Sequence, residues 1–297
     1  LPSYLFLPVH NSGLTYTGHS KIYAHQEWGS SFDSYDKMNT ISLPKMFIKP
    51  EQEISILISS FNTNITHVKE CLNSIVKQKG HYGFEIIWIN DGSDILHTQL
   101  LKKMLQYFEN NTRFCKVIYN ENENNMGIGY TLNKGIKMCS NELIIKMDSD
   151  DIMIHDRIKK QVTYMEKHPN IAICGGQILM FNDKTNKDVS RTNHKNITWG
   201  GYKDSPSSWF INHPTVCYRK SKVLEAGNYS VDLKIMAEDF ELMLRILKKY
   251  GKIHNLPDIL LRYRLHPGQV THNGGKGGKA HWDNVRNQII SKLFSDD

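Results

Sequence analysis

The chain has 297 residues, enough for one large or two small domains with a sizeable core, so it needs no disulfide staples. Its 37 Lys and Arg against 30 Asp and Glu give a formal net charge of +7, which suits an anionic ligand; the cations are spread along the chain without a basic block or an aromatic-basic motif, which argues against a nucleic-acid binder. Cys71, Cys115, Cys139, Cys174 and Cys217 are odd in number and include no C-x-x-C pair, so neither a zinc site nor a disulfide framework is expected, and a reducing compartment is the simpler reading.

Residues 1–50 are rich in Ser, Tyr, His, Asn and Pro with little periodicity and read as an irregular N-terminal extension. The run Tyr4-Leu5-Phe6-Leu7 is too short for a signal core, and no stretch approaches the ~20 apolar residues of a membrane span. The expectation is a soluble, cytoplasmic protein without an integral membrane segment, a removed targeting segment being left open because the chain starts at Leu1. N-x-S/T triplets at Asn64, Asn110, Asn196 and Asn228 do not establish secretion in so Asn-rich a chain.

From Glu53 the pattern changes. Ile54–Ile58 reads as a strand, Ser59–Asn64 as a polar loop, and Val68, Cys71, Leu72, Ile75 and Val76 recur at helical spacing. A second unit follows, with strand Phe84–Ile89, turn Asn90–Asp94 and a helix carrying Leu100, Leu101, Met104, Leu105 and Phe108. The third has strand Lys116–Tyr119, the loop Asn124–Gly129 and a helix with Leu132, Ile136 and Met138. Such alternation predicts an α/β fold with a mostly parallel sheet flanked by helices, and a doubly wound sheet gathers its strand-end loops along one edge.

The fourth strand, Ile144-Ile145-Lys146-Met147, ends in Asp148, Asp150 and Asp151. Carboxylates at such a sheet edge are costly unless a cation joins them, and hard divalent ions prefer oxygen ligands. A solvated acidic turn before a helix is the plainer alternative, and an EF-hand does not fit, since Lys159 stands where the loop needs Glu. Next come a helix with Ile158, Val162 and Met165, ended by His168-Pro169, and a strand at Ile171–Gly176. Residues 182–208 read as a long polar loop region over a site. Glu238, Asp239 and Glu241 open an amphipathic helix, where acids are favoured by the helix dipole in any case. After Arg262, Arg264 and His266, the run Gly274–Lys279 reads as a flexible lid or tail.

Five motifs taken together, Ser59-Ser60-Phe61-Asn62, Asn90-Asp91-Gly92-Ser93, Asn125-x-Gly127 through Asn133-x-Gly135, Met147-Asp148-Ser149-Asp150-Asp151 and Ala237–Leu242, resemble in order and spacing the family 2 glycosyltransferases of GT-A fold, over about residues 53–270. The resemblance implies a GT-A type, Rossmann-like domain at 51–270, divided into a nucleotide-sugar half (51–151) and an acceptor half (152–270), with the extension at 1–50 and a lid or tail at 271–297. It implies an inverting, metal-dependent hexosyltransferase that uses a UDP-sugar, UDP-glucose being the first guess, with Mn2+ or Mg2+. The acceptor would be a hydroxyl of a glycan or glycosylated protein, collagen-type galactosylhydroxylysine among the candidates.

The same resemblance assigns roles to residues. Ser60, Asn62, Asp91 and Gly127 would line the base and ribose, Asp148 would contact ribose or the metal's water shell, and Asp150 would bind the metal directly, with Asp148 and His266 as further candidate ligands. Arg264 would clamp phosphate. Asp239 would be the general base, Glu238 the less favoured one, and their plainer reading is helix capping. His213 falls on the acceptor side or in the core; by residue type alone, Trp199, Trp209 and Phe210 are candidates to stack on sugar, core packing being the commoner role of aromatic residues. Leu132 stands where the family often carries Arg or Lys before Asn133, so no phosphate contact is expected there. Two rival readings are a sugar nucleotidyltransferase, whose Gly- and Lys-bearing loop is missing from Ser59–Asn62, and a catalytically inactive nucleotide- or glycan-binding module.

Overall fold

Strand β1 (Gln52–Ser60) is buried from Ile54 through Ile58, so its apolar run needs no alternation. It pairs in parallel with β2 (Tyr82–Asn90) on one side and β4 (Leu143–Asp148) on the other, and β2 pairs in parallel with β3 (Cys115–Glu121). The structure, a computed structural model, describes residues 50, 52–112, 115–206, 209–233, 237–269 and 278–295; the expected N-terminal extension lies outside the described residues except for Pro50.

Helices α1 (Ile65–Val76), α2 (Ile95–Asn111) and α3 (Ile128–Met138) connect these strands. Two start on side-chain caps: Asn64 accepts from the Thr66 N–H at 2.8 Å, and Asp94 from the His97 N–H at 2.8 Å. Successive residues of β1 face opposite layers. Ile54, Ile56 and Ile58 pack with α1 residues Val68, Cys71 and Leu72 and α2 residues Leu101 and Leu105, while Leu57 packs with Leu132 and Ile136 of α3.

Beyond β4 the sheet continues through β9 (Cys217–Arg219), β6 (Ile173–Asn182), β10 (Lys252–Leu265) and β5 (Ile152–Met153), giving the order β3-β2-β1-β4-β9-β6-β10-β5. Strand β9 runs antiparallel to both neighbours, whereas β6 and β10 are parallel to each other. Helix α4 (Arg157–Lys167) packs Ile158, Val162 and Met165 on the first layer. On the other lie α5 (Trp199–Asp204), α6 (Lys220–Glu225), α7 (Glu238–Tyr250) and α8 (Gly278–Ser295).

Two expectations change. The long loop expected at 182–208 contains β7 (Asp188–Arg191), β8 (Ile197–Thr198) and α5, because β7 pairs with β6 and β8 with β10, partners remote in sequence. The expected lid or tail becomes helix from Gly278, where Trp282, Val285, Ile289, Ile290, Leu293 and Phe294 join the core. Among the described residues no helix is long and apolar enough to cross a membrane.

Candidate functional site

Register brings three polar loops to one sheet edge: Ser59 of β1 lies opposite both Ile89 and Asp148, and Ser60 opposite Asn90. The first two loops clasp each other. The Asn62 N–H donates to Ser93 Oγ (2.8 Å) while Asn62 Oδ1 accepts from the Asp94 N–H (3.0 Å), which holds Asn62 at φ +48°. Thr63 joins the acid turn through a 2.8 Å hydroxyl contact with Ser149. Gly92, at φ +72°, lies so close to the third loop that a Cβ would fall 2.4 Å from the Asn124 carbonyl carbon.

Asp91 is the anchor of that third loop. One carboxylate oxygen accepts from Asn122 Nδ2 (2.8 Å) and the Met126 N–H (2.9 Å), and the other from the Gly127 N–H (3.0 Å). Lys134 in turn donates to Asn122 Oδ1 at 2.9 Å. Asp91 and Ser60 are both buried, and Ser60 Oγ accepts from Trp88 Nε1 at 2.8 Å. The geometry therefore uses Ser60, Asp91 and Gly127 first to build the loops, and leaves Asn62 exposed at the mouth.

At the acid turn, Lys146 and Asp148 share one side of β4, and the buried Lys146 ammonium contacts Asp148 Oδ1. Asp148, expected to contact ribose or the metal's water shell or to be a further ligand, thus has one carboxylate oxygen engaged by Lys146 within the chain. Asp150 Oδ2 lies 2.9 Å from His266 Nε2, so two expected ligands 116 residues apart do meet. The buried Asp151 accepts the Arg264 N–H at 2.8 Å on one oxygen and has no partner on the other. Burial, with Asp150 and Asp148 beside it, pushes its carboxyl well above the usual range.

Arg264, the expected phosphate clamp, has a buried guanidinium that donates to the Asp150 carbonyl (2.6 Å) and Asp183 (2.7 Å) and pairs with Glu70, so it braces the Asp150–Asp151 backbone. Asp150 and His266 offer one hard oxygen and one imidazole nitrogen side by side, a donor set that fits Mn2+ completed by phosphate oxygens and water.

Facing this edge is the start of α7. Ala237 precedes it in the left-handed region at φ +69°, an uncommon conformation for a residue with a Cβ, which turns Glu238 and Asp239 into the first turn. Asp239 Oδ1 accepts from the Phe240 N–H at 2.7 Å, while Oδ2 faces His213 Nδ1 at 3.8 Å. His213 Nε2 is 2.7 Å from the Tyr229 hydroxyl, which contacts the Tyr218 hydroxyl. Burial, helped by the Lys146 ammonium, drives the His213 imidazole well below its ordinary value and keeps it neutral. Burial raises Asp239 as well, and burial plus the Asp239 charge raises Glu238 to about 8. Ligand-type atoms of His213, Glu238 and Asp239 lie within 4.8 Å of one another.

A pocket lined by Trp209, Phe210, His213, Asp239 and Phe240 opens beside these groups. Phe210 is a core residue, stacked edge-on to Tyr202 at 5.3 Å, and Trp199 packs against Phe294; Trp209 remains 47% exposed. The sequence reading passed over two residues here. Lys146 had a legible signal, a single cation inside an otherwise apolar strand; Trp282, which stacks on Trp209, had none, because the glycine run before it reads as a flexible tail.

Residues 55–226 match the family model described as Glycosyl transferase family 2. An uncharacterized glycosyltransferase of Haemophilus influenzae is 33% identical over 232 residues, which span 77% of this chain and 83% of that one. The amylovoran biosynthesis glycosyltransferase AmsE of Erwinia amylovora is 29% identical over 238 residues, 79% of this chain and 82% of that one. Among solved structures, S. aureus TarS 1-349 in complex with UDP superposes with a TM-score of 0.56 at 19% identity, covering 82% of this chain and 72% of that chain. That likeness is one of fold.

Proposed function

The chain belongs to glycosyl transferase family 2, and from that premise we propose that it moves a hexose from a UDP-sugar, UDP-glucose being the first donor to test, to a hydroxyl of a glycan with inversion at the anomeric carbon. The observation that carries the reading is the Asp150–His266 pair, held by Arg264 and Asp151 at the edge where the Asn62, Asp91 and Gly127 loops converge. Those loops take the nucleoside; Asp150 and His266 would hold Mn2+ or Mg2+, which offsets diphosphate charge as the nucleotide leaves.

Asp239 Oδ2 accepts the proton of the acceptor hydroxyl as its oxygen attacks, and Oδ1 stays fixed by the Phe240 N–H. His213, neutral and tied to Tyr229, lies beside that carboxylate at 3.8 Å. Burial and the neighbouring Asp239 charge favour the protonated form of Glu238, which makes it the poorer base. The name of AmsE, an amylovoran biosynthesis glycosyltransferase, favours a polysaccharide or other glycan as acceptor; galactosylhydroxylysine of a collagen-type protein, open from the sequence, gains no support from it.

The test is UDP release from a panel of UDP-sugars with and without Mn2+, comparing the parent with Asp150→Ala. Release confined to one sugar, dependent on the ion and lost in the variant is the expected result. Equal release without the ion, or by the variant, defeats the metal assignment. If UDP binds but no donor turns over with any glycan, the chain is a binding module.

A further inference from the structure

Trp209 and Asp239 line the same small pocket, and Trp209 does not stand alone. Its indole lies parallel to that of Trp282, with ring centroids 5.2 Å apart and planes 2° apart. Trp282 is itself held edge-on against Phe240, the residue after Asp239, at 5.9 Å and 75°. An exposed tryptophan ordinarily keeps its rotamer freedom, and a ligand must then supply the ordering cost. Here much of the cost is met in advance, because Trp282 comes from α8, whose Ile289 is buried in the core and whose partly buried Val285 and Leu293 pack against it. The result is a rigid, flat, half-exposed aromatic face ending at a carboxylate that accepts protons.

The two faces of a pyranose differ in the way such a surface requires. Several axial C–H groups form an apolar face that lies flat on an indole, whereas the hydroxyls point outward in the ring plane towards polar partners. A ring laid on Trp209 would keep its hydroxyls clear of the indole and free for polar partners such as Asp239, which lines the same pocket. A peptide or an alkyl chain has no matching need for a planar face beside a base. Resting on the glycosyltransferase reading and deepening its acceptor side, we infer that the stacked Trp209 and Trp282 form the acceptor subsite, which takes a neutral pyranose ring of the glycan. Acceptor choice is then set in part by α8, outside residues 55–226 that match the family model.

The experiment uses the full chain labelled with 15N at the five indole nitrogens. Methyl β-glucopyranoside, methyl β-galactopyranoside and methyl N-acetyl-β-glucosaminide are titrated in with UDP present. Octyl phosphate, which has a chain but no ring, is titrated separately. The Trp209 and Trp282 resonances, assigned through Trp209→Phe and Trp282→Phe, are expected to move with at least one glycoside and to stay put with octyl phosphate. In a coupled assay on the glycoside that binds, Trp209→Ala should raise the acceptor KM about three- to tenfold more than the donor KM, the effect of losing one aromatic face. Unmoved indoles with every glycoside, a response to the alkyl chain alone, or equal changes in both KM values overturn the subsite. Absence of UDP release from the parent overturns the underlying transferase chemistry instead, and the indole titration reads independently of it.

Discussion

At the residue scale, adjacent carboxyls on one helical turn have different surroundings. Asp239 keeps one oxygen on a backbone N–H and the other towards the pocket, while Glu238 is buried and raised to about 8. Asp239→Asn should lower turnover by about 100- to 10,000-fold with UDP binding retained, the usual cost of a lost general base. Glu238→Gln, which mimics the protonated acid, should retain far more activity at pH 7; equal losses in the two variants would show that the base has been misassigned. The raised Glu238 also bears on stability. Between its ordinary 4.5 and about 8, the folded chain holds a proton that the unfolded chain has released, so stability falls as pH rises through that window. Glu238→Gln should therefore flatten the decline in melting temperature between about pH 5 and pH 8; an unchanged slope would contradict the shift. Asp150, His266, Glu238 and Asp239 were legible as candidates from motif order alone. The partners around them were not, since Lys146 lies inside an apolar run and Arg264 reads from sequence as a phosphate clamp.

At the element scale, the repeated strand-loop-helix units were plain because burial on both faces leaves continuous apolar runs and helical faces leave a 3.6-residue period. What the spacing hid is how closely two helices meet at the site. A Cβ on Gly129 of α3 would lie 2.7 Å from the Ser230 carbonyl oxygen and 3.1 Å from Glu238 Cβ of α7. Gly129→Ala should then displace the α7 start, costing about 1–3 kcal/mol of stability as overpacking commonly does, and turnover should fall with it. Thermal melting and a UDP-release assay on the same preparation would check this, and wild-type values in both would show that the contact yields freely. Strands β7 and β8 escaped the sequence reading for a related reason: four and two residues long, they carry too little periodicity and exist because β6 and β10 offer them an edge.

At the scale of the whole molecule, α8 closes the layer formed by α3, α5 and α7. Lys248 donates to the Leu293 carbonyl at 2.6 Å, and Phe294 packs edge-on to Trp199 at 5.3 Å. Ending the chain after residue 269 would expose these surfaces. With each well-buried large apolar side chain contributing about 1.5–3 kcal/mol, the truncated protein should melt many degrees lower or fail to fold; an unchanged melting curve would mean that α8 is dispensable to the core. The sequence by itself determined the α/β class, the parallel run of the first four strands and the family, because these follow from local periodicity and from motifs whose order is fixed along the chain. Only the tertiary structure decided which carboxylates are neutralised within the chain, that His213 lies beside Asp239, and that the chain beyond the glycine-rich stretch forms a helix that packs on the core and carries Trp282. Charge state, burial and stacking are properties of neighbours far apart in sequence, and no pattern along one strand or helix encodes them.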